Sequence, residues 1–188
     1  MTQELQNYTK ALYGMDAVVR RMPADAWDNQ SPCDEWCARE VLGHVMWGMK
    51  SLTATASGAE RPAEQAEADV AGPDPRETWF EVRDNVMAAL DQRGALQQMT
   101  NGPFGEMAVN DMLGIATMDV TTHTWDVAQS AGIEACCDET IMAQGQAMIA
   151  AMGDGLRRPG LMDHPVDSSS DADQQTRFAN FMGRAAIS

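Results

Sequence analysis

His44, Asp119 and His123 are the residues of this 188-residue chain whose types and spacing could hold a metal ion. Asp119 and His123 are four positions apart, and on a helix such residues project from one face with Cβ atoms about 5–6 Å apart. That is a workable span for chelating one ion. His44 lies in a separate amphipathic stretch, Val41-Leu42-Gly43-His44-Val45-Met46. If the two segments are helices that pack together, two imidazoles and one carboxylate converge and leave coordination positions free for solvent or substrate. An open set of this kind suits a working site more than a structural one.

Each of these residues also has a plainer reading. A histidine on an apolar stripe is more often a satisfied core residue than a ligand. Asp119 is harder to account for, because its window is made of Met, Ile, Ala and Val and an ionised carboxylate is costly to bury without compensation. A hydrogen bond between Asp119 and His123 would supply that compensation without an ion, so spacing alone leaves both readings open. Asp126, seven residues beyond Asp119, returns to nearly the same face. It could orient an imidazole from behind, replace Asp119 as a ligand, or be solvated at the helix end. Trp36 and Trp125 flank the ligand-bearing segments and are candidates to line a pocket for a bound molecule, beside the simpler reading of core aromatics. Thr122 is a weaker candidate of the same kind. His164 sits in the loop-like Asp163-His164-Pro165 and is set aside. Cys33 and Cys37 could join His44 in a site, but Cys33 falls ahead of the expected helix start.

The elements that must position these groups read as helices. Leu5, Tyr8, Leu12, Met15, Val19 and Met22 recur at three to four residues and predict a first amphipathic helix stopped by Pro23. A second, over 35–56, carries Val41, Val45, Met49 and Leu52 on one stripe, with Asp34 or Ser31 as N-cap. Residues 57–75 are acidic and punctuated by Pro and Gly, which predicts a long connection. A third helix over 76–93 faces inward through Trp79, Val82, Val86 and Leu90, and Gly94 ends it. Asn101-Gly102-Pro103-Phe104-Gly105 is turn chemistry for a tight loop or short hairpin. A fourth helix over 109–130 carries Met112, Ala116, Asp119, His123 and Val127. A fifth over 138–152 has no interrupting charge and is expected to be well buried. Ser168-Ser169-Ser170-Asp171 is expected to cap a short last helix through Phe178 and Met182. The expectation is an all-α four-helix bundle with extra short helices and a small hairpin, one domain over 1–188.

Bulk properties bound the partners. The formal charge of −15 and a pI near 4.3 argue against nucleic acid or an anionic membrane. No run of about 18 apolar residues predicts a membrane span, and the N-terminus lacks the basic and apolar regions of a signal peptide. The expected location is therefore the cytoplasm. Fifteen methionines against four Phe suggest a core filled by flexible thioethers, and a methionine-rich surface would also suit a homodimer. Cys33, Cys37, Cys136 and Cys137 show no zinc-ribbon spacing and are expected to be small buried hydrophobes.

Pro32-Cys33-Asp34-Glu35-Trp36 through Leu42-Gly43-His44 resembles the Pro-Cys-x-x-Trp…Leu-x-x-His signature of the mycothiol-dependent maleylpyruvate isomerase metal-binding-domain family. Asp119-Val-Thr-Thr-His123-Thr-Trp125-Asp126-Val-Ala resembles its second signature, Asp-x3-His-x-Trp-Asp-Leu-Ala. Phe104-Gly105-Glu106-Met107 and the tail Asp171…Arg177-Phe178…Gly183-Arg184 resemble further landmarks. The family lies in the DinB/YfiT-like superfamily of metal-binding four-helix bundles. The resemblance implies that His44, Asp119 and His123 bind a divalent ion, zinc first, with Fe(II), nickel and manganese as alternatives. It implies mycothiol as the thiol partner and a thiol S-transferase or isomerase reaction on a small electrophile. It is closest to the stand-alone metal-binding subgroup, because the isomerase has Glu where Asp119 stands and an added C-terminal domain for which this chain leaves no room. The competing expectation is a non-catalytic metal- or ligand-binding protein of the same fold.

Overall fold

The computed structural model describes residues 1–102, 105–157 and 162–185. Four long helices form its frame: α1 (Gln3–Arg21), α2 (Ala38–Ala56), α4 (Pro75–Leu90) and α5 (Val109–Ser130). Between α2 and α4 lies a single-turn helix, α3 (Glu67–Ala71). Helix α1 packs against α4 and α5, and α2 packs against the same two, so the bundle closes in the order α1–α4–α2–α5. The stripes predict this well. Tyr8, Leu12, Met15 and Val19 of α1, Val41, Val45 and Met49 of α2, and Trp79 and Val86 of α4 are all buried. Met15, Met46 and Met49 fill the interior as thioethers suited to irregular gaps do.

Helices α6 (Glu139–Met152) and α7 (Gln174–Phe181) lie on the outside of α5. They bury Met142, Ile149 and Phe178 against Met118 in a second, smaller apolar cluster. A two-stranded antiparallel hairpin, β1 (Met99–Gly102) and β2 (Gly105–Ala108), leads directly into α5. Pro103 and Phe104, between the strands in sequence, lie outside the described residues, and so does that part of the Phe104-Gly105-Glu106-Met107 resemblance. No helix among the described residues is long and apolar enough to cross a membrane.

Several local expectations need correction. Helix α2 starts at Ala38, not 35, and its cap is Cys37 and not Asp34 or Ser31. The preceding residues fold back as a loop, closed by a bridge between Gln30 and Cys37. Glu40 completes a capping box on the Cys37 amide at 2.9 Å. The connection 57–75 is not wholly irregular, since α3 packs on α2. Helix α4 runs one residue earlier and ends at Leu90, because Asp74 accepts from the Arg76 and Glu77 amides. Asp173, not the serine run, caps α7. Helix α6 is buried only along Ile141, Met142, Gly145 and Ile149; its Ala, Gln and Met residues carry no charge but do not require burial either. None of the four cysteines is fully buried and Cys136 is exposed.

Gly43 permits the closest helix contact near the site. A Cβ built there would stand 1.9 Å from the Glu67 carbonyl oxygen of α3. We expect Gly43→Ala to lower stability by about 1–3 kcal/mol through this backbone clash. Gly48, where a Cβ meets nothing within 4 Å, should gain about 0.5–1 kcal/mol as Ala. Urea unfolding midpoints test the pair, and an unchanged Gly43→Ala midpoint would contradict the packing described.

Candidate metal centre

Packing of α2 against α5 sets His44 opposite the Asp119–His123 pair. The Nε2 atoms of His44 and His123 each lie 3.4 Å from the same oxygen, Oδ1 of Asp119. All three atoms lie within 4.8 Å of one another. These separations exceed the 2.7–3.2 Å range of good N–H···O bonds. They match the edge of a tetrahedron, about 3.3 Å, around an ion with N and O ligands at 2.0–2.1 Å. His123 is 5% exposed, whereas the side chains of His44 and Asp119 keep 36% and 38% of their surface. The set is therefore closed at the His123 end and open at the other. Two nitrogens and one oxygen with an open side form a donor set that fits a divalent ion.

Behind His123, Asp126 is fully buried, and its Oδ2 accepts from His123 Nδ1 at 2.9 Å. That bond places a proton on Nδ1 and directs Nε2 toward Asp119. Arg184 Nε donates to the same Asp126 oxygen at 3.2 Å, while Oδ1 has no partner among the described residues. Asp126 thus stands on the far nitrogen of His123 rather than in the place of Asp119. Burial would raise the Asp119 carboxyl, but the charges of His123 and His44 outweigh it and hold the group well below the usual carboxylate range. Burial would lower His123, yet Asp119 and then Asp126 lift it to about 9. Ligation requires the neutral imidazole, so loading an ion here releases protons.

The loop before α2 supplies Trp36. The Ser31 amide donates to the Trp36 carbonyl at 3.2 Å and the Trp36 amide to the Cys33 carbonyl at 2.8 Å. Ser31 Oγ donates to Trp36 O at 2.6 Å. Held this way, the indole lies 4.8 Å from the His44 ring at 33° and 6.3 Å from His123. The same loop brings Cys33 within 4.8 Å of ligand atoms of His123 and Asp126, so the cysteine joins this side and not a set with Cys37 and His44. Trp125 is only 2% exposed and belongs to the core, because a two-residue step from His123 points it to the other side of α5. Thr122 is also buried and donates to its own helix at Met118 O. His164 is exposed.

Beside the open side lies a cavity of about 290 Å³, lined by His44, Asp119, Tyr8, Trp47, Ser51 and Arg61 among others. Of the last four, Tyr8, Ser51 and Arg61 are not legible as site residues in the sequence. Trp47, three positions beyond His44, carried a usable signal; Tyr8 was hidden in an apolar stripe that is core elsewhere. The Arg61 guanidinium lies over the Trp47 ring, 5.2 Å from its centroid. Burial, and then the Asp119 charge, push the Tyr8 phenol up.

Burial raises the Cys33 thiol to about 11, with Arg184 opposing, and raises Cys137 to about 12. Alkylation follows the thiolate and its access. Iodoacetamide at pH 8 should therefore modify exposed Cys136 first, with Cys33 reacting quickly only as the pH approaches 11 and Cys137 only toward 12. Both thiols keep their protons above the pH at which an unfolded cysteine loses its own, so this contribution to stability is full below about pH 8.5 and declines as pH rises toward 11 for Cys33 and 12 for Cys137. Peptide mapping over pH 7–11 checks the order, and early labelling of Cys33 would contradict it.

The family model described as "Mycothiol maleylpyruvate isomerase N-terminal domain" matches residues 9–128. Two uncharacterized proteins of Mycobacterium tuberculosis, from strains CDC 1551 / Oshkosh and ATCC 25618 / H37Rv, are each 26% identical over 157 residues, covering 83% of this chain and 83% of the relative. Among solved structures, a mycothiol-dependent maleylpyruvate isomerase and a single-site mutant of it share the fold. Their TM-scores are 0.56 and 0.58, at 15% identity over 78% of this chain and 68% of theirs. The matched segment runs from α1 nearly to the end of α5 and contains His44, Asp119, His123 and Asp126: the chain belongs to the mycothiol maleylpyruvate isomerase N-terminal domain family.

Proposed function

We propose that His44, Asp119 and His123 hold one divalent ion, zinc in first place with Fe(II), nickel and manganese as alternatives. We further propose that the chain uses it to join a low-molecular-weight thiol, mycothiol, to a small electrophile or to isomerise one through that thiol. The observation carrying this reading is the pair of 3.4 Å separations from one carboxylate oxygen to two imidazole nitrogens, with Nδ1 of His123 already engaged by Asp126. A bound divalent ion would supply Lewis acidity, depressing the pKa of a coordinated thiol so that it is nucleophilic at neutral pH.

The rest of the work falls to the chain. Asp119 neutralises part of the ionic charge and, shared between two histidines, keeps both rings aimed at one point. Asp126 accepts a hydrogen bond from His123 Nδ1–H and so leaves Nε2 free, and Arg184 in turn orients Asp126. Trp36 packs at a tilt against His44 and restricts its rotation. The half-exposed edges of His44 and Asp119 face the neighbouring cavity, where an electrophile would stand within reach of the thiol.

Elemental analysis of chelator-free protein should find close to one ion per chain, lost in His44→Ala, Asp119→Ala and His123→Ala. Asp126→Ala should retain the ion with affinity reduced about 10–100-fold. Turnover of mycothiol with monochlorobimane should depend on the ion and collapse in His44→Ala. A folded wild type that cannot be loaded with any of the four metals would refute the reading. An ion bound without turnover of any thiol would leave a binding protein instead.

A further inference from the structure

Two residues that line the cavity beside the centre, Tyr8 and Ser51, have buried hydroxyls that the fold does not use. Tyr8 is wholly buried and Ser51 nearly so, both line the cavity, and neither Tyr8 Oη nor Ser51 Oγ has a hydrogen-bond partner among the described residues. Ser51 departs from its neighbours in this. Thr53 and Thr55 on α2, and Thr117, Thr121, Thr122 and Thr124 on α5, each donate to the carbonyl four residues earlier in their own helix. A buried donor left unpaired is destabilising, so two at one apolar cavity next to the proposed reaction centre call for an acceptor brought from outside.

The cavity volume bounds that ligand. At about 290 Å³ it is roughly twice the ~150 Å³ of an engineered apolar cavity that accepts benzene, which corresponds to about twelve non-hydrogen atoms. Its walls are mostly apolar, through residues such as Val45, Met49, Leu52 and Ile115, so a charged ligand would lose hydration without repayment. Its cation, Arg61, is already placed over Trp47.

We propose that this cavity receives the electrophile, a neutral, largely apolar molecule bearing a carbonyl-type acceptor, and that Tyr8 and Ser51 are the donors that recognise it. The assignment of the ligand as electrophile rests on the thiol-transfer reading above. The binding claim itself does not require turnover. Gly48 offers a way to block the space, since it lines the cavity and a Cβ there meets nothing within 4 Å.

Calorimetric titration of the metal-loaded protein, without thiol, tests the proposal with 2-acetylnaphthalene, its hydrocarbon counterpart 2-ethylnaphthalene and the anion 2-naphthoate. The ketone should bind about 5–10-fold more tightly than the hydrocarbon, and the anion more weakly than the ketone. Tyr8→Phe and Ser51→Ala should each bring the ketone-to-hydrocarbon ratio toward one, with an unfolding midpoint at or above wild type, because each removes an unpaired buried hydroxyl. Gly48→Leu should weaken both neutral probes at least tenfold while the ion stays bound. Equal affinity for ketone and hydrocarbon, no saturable binding of either, or preference for the anion would overturn the proposal. So would a Tyr8→Phe variant of lowered midpoint with the ratio intact. Ion binding and thiol turnover without ketone preference would refute this inference alone, whereas ketone preference in a protein that takes up no ion would refute the metal reading alone.

Discussion

Helix α5 carries two carboxylates at the centre, half-exposed Asp119 and fully buried Asp126, and the need to compensate them organises what surrounds it. Breaking a buried charge pair by removing one partner typically costs about 3–5 kcal/mol, comparable to or larger than the 1.5–3 kcal/mol from burying one large apolar side chain. The compensation comes from three parts of the chain. His44 arrives from α2, His123 from the next turn of α5 itself, and Arg184 from the segment after α7. That last segment is held by the Arg184 amide on Ala179 O at 2.9 Å and by Asn180 Nδ2 on Arg184 O at 2.7 Å. Burial of Phe178 and the Arg184–Asp126 contact therefore fasten the same end of the chain to α5.

The arrangement around His123 differs on its two sides. Toward Asp126 the environment is closed, hydrogen-bonded and supported by Arg184. Toward Asp119 it opens through half-exposed groups into an apolar cavity. One imidazole thus joins a rigid support to a solvent-reachable edge, which is the asymmetry expected where orientation must be fixed but a small molecule must approach. Trp36 extends the rigid side over His44. Its loop is held by several backbone and serine hydrogen bonds and by the Cys37–Glu40 capping box, so the indole is positioned by the start of α2.

The charge of the whole chain and the character of the cavity point in different directions. With a formal charge of −15, the surface repels anions at long range, within the reach that salt allows. The cavity is lined mainly by apolar groups, with two spare hydroxyls. Surface and cavity together favour neutral molecules, and only the centre itself offers a place for a group that becomes negative. This division follows from placing acidic residues outside and apolar stripes inside, with Asp119 as the point where the two meet.

Helical periodicity made α1, α2, α4 and α5 legible because each has an uninterrupted apolar stripe, and the i, i+4 spacing marked Asp119 and His123 as one unit. His44 joined that unit on the condition that its own helix packs beside theirs, and the family signatures named the same three residues. Element ends were less legible, since Asp34, Ser31 and Ser168–Asp171 are all competent caps by type and only the surrounding hydrogen bonds select Cys37 and Asp173. Residue type likewise cannot tell a stripe that is core from one that lines a cavity, which is why Tyr8 reads as packing and Trp125 stays open between core and pocket. By itself, then, the sequence determined which helices form and which carboxylate and imidazoles could act together. The tertiary structure alone decided that α2 lies against α5 with 3.4 Å between donor atoms, that Asp126 takes the rear nitrogen of His123, and that a cavity opens at Tyr8 and Ser51. Periodicity specifies the face of a helix, whereas distances across the bundle depend on how every other stripe packs.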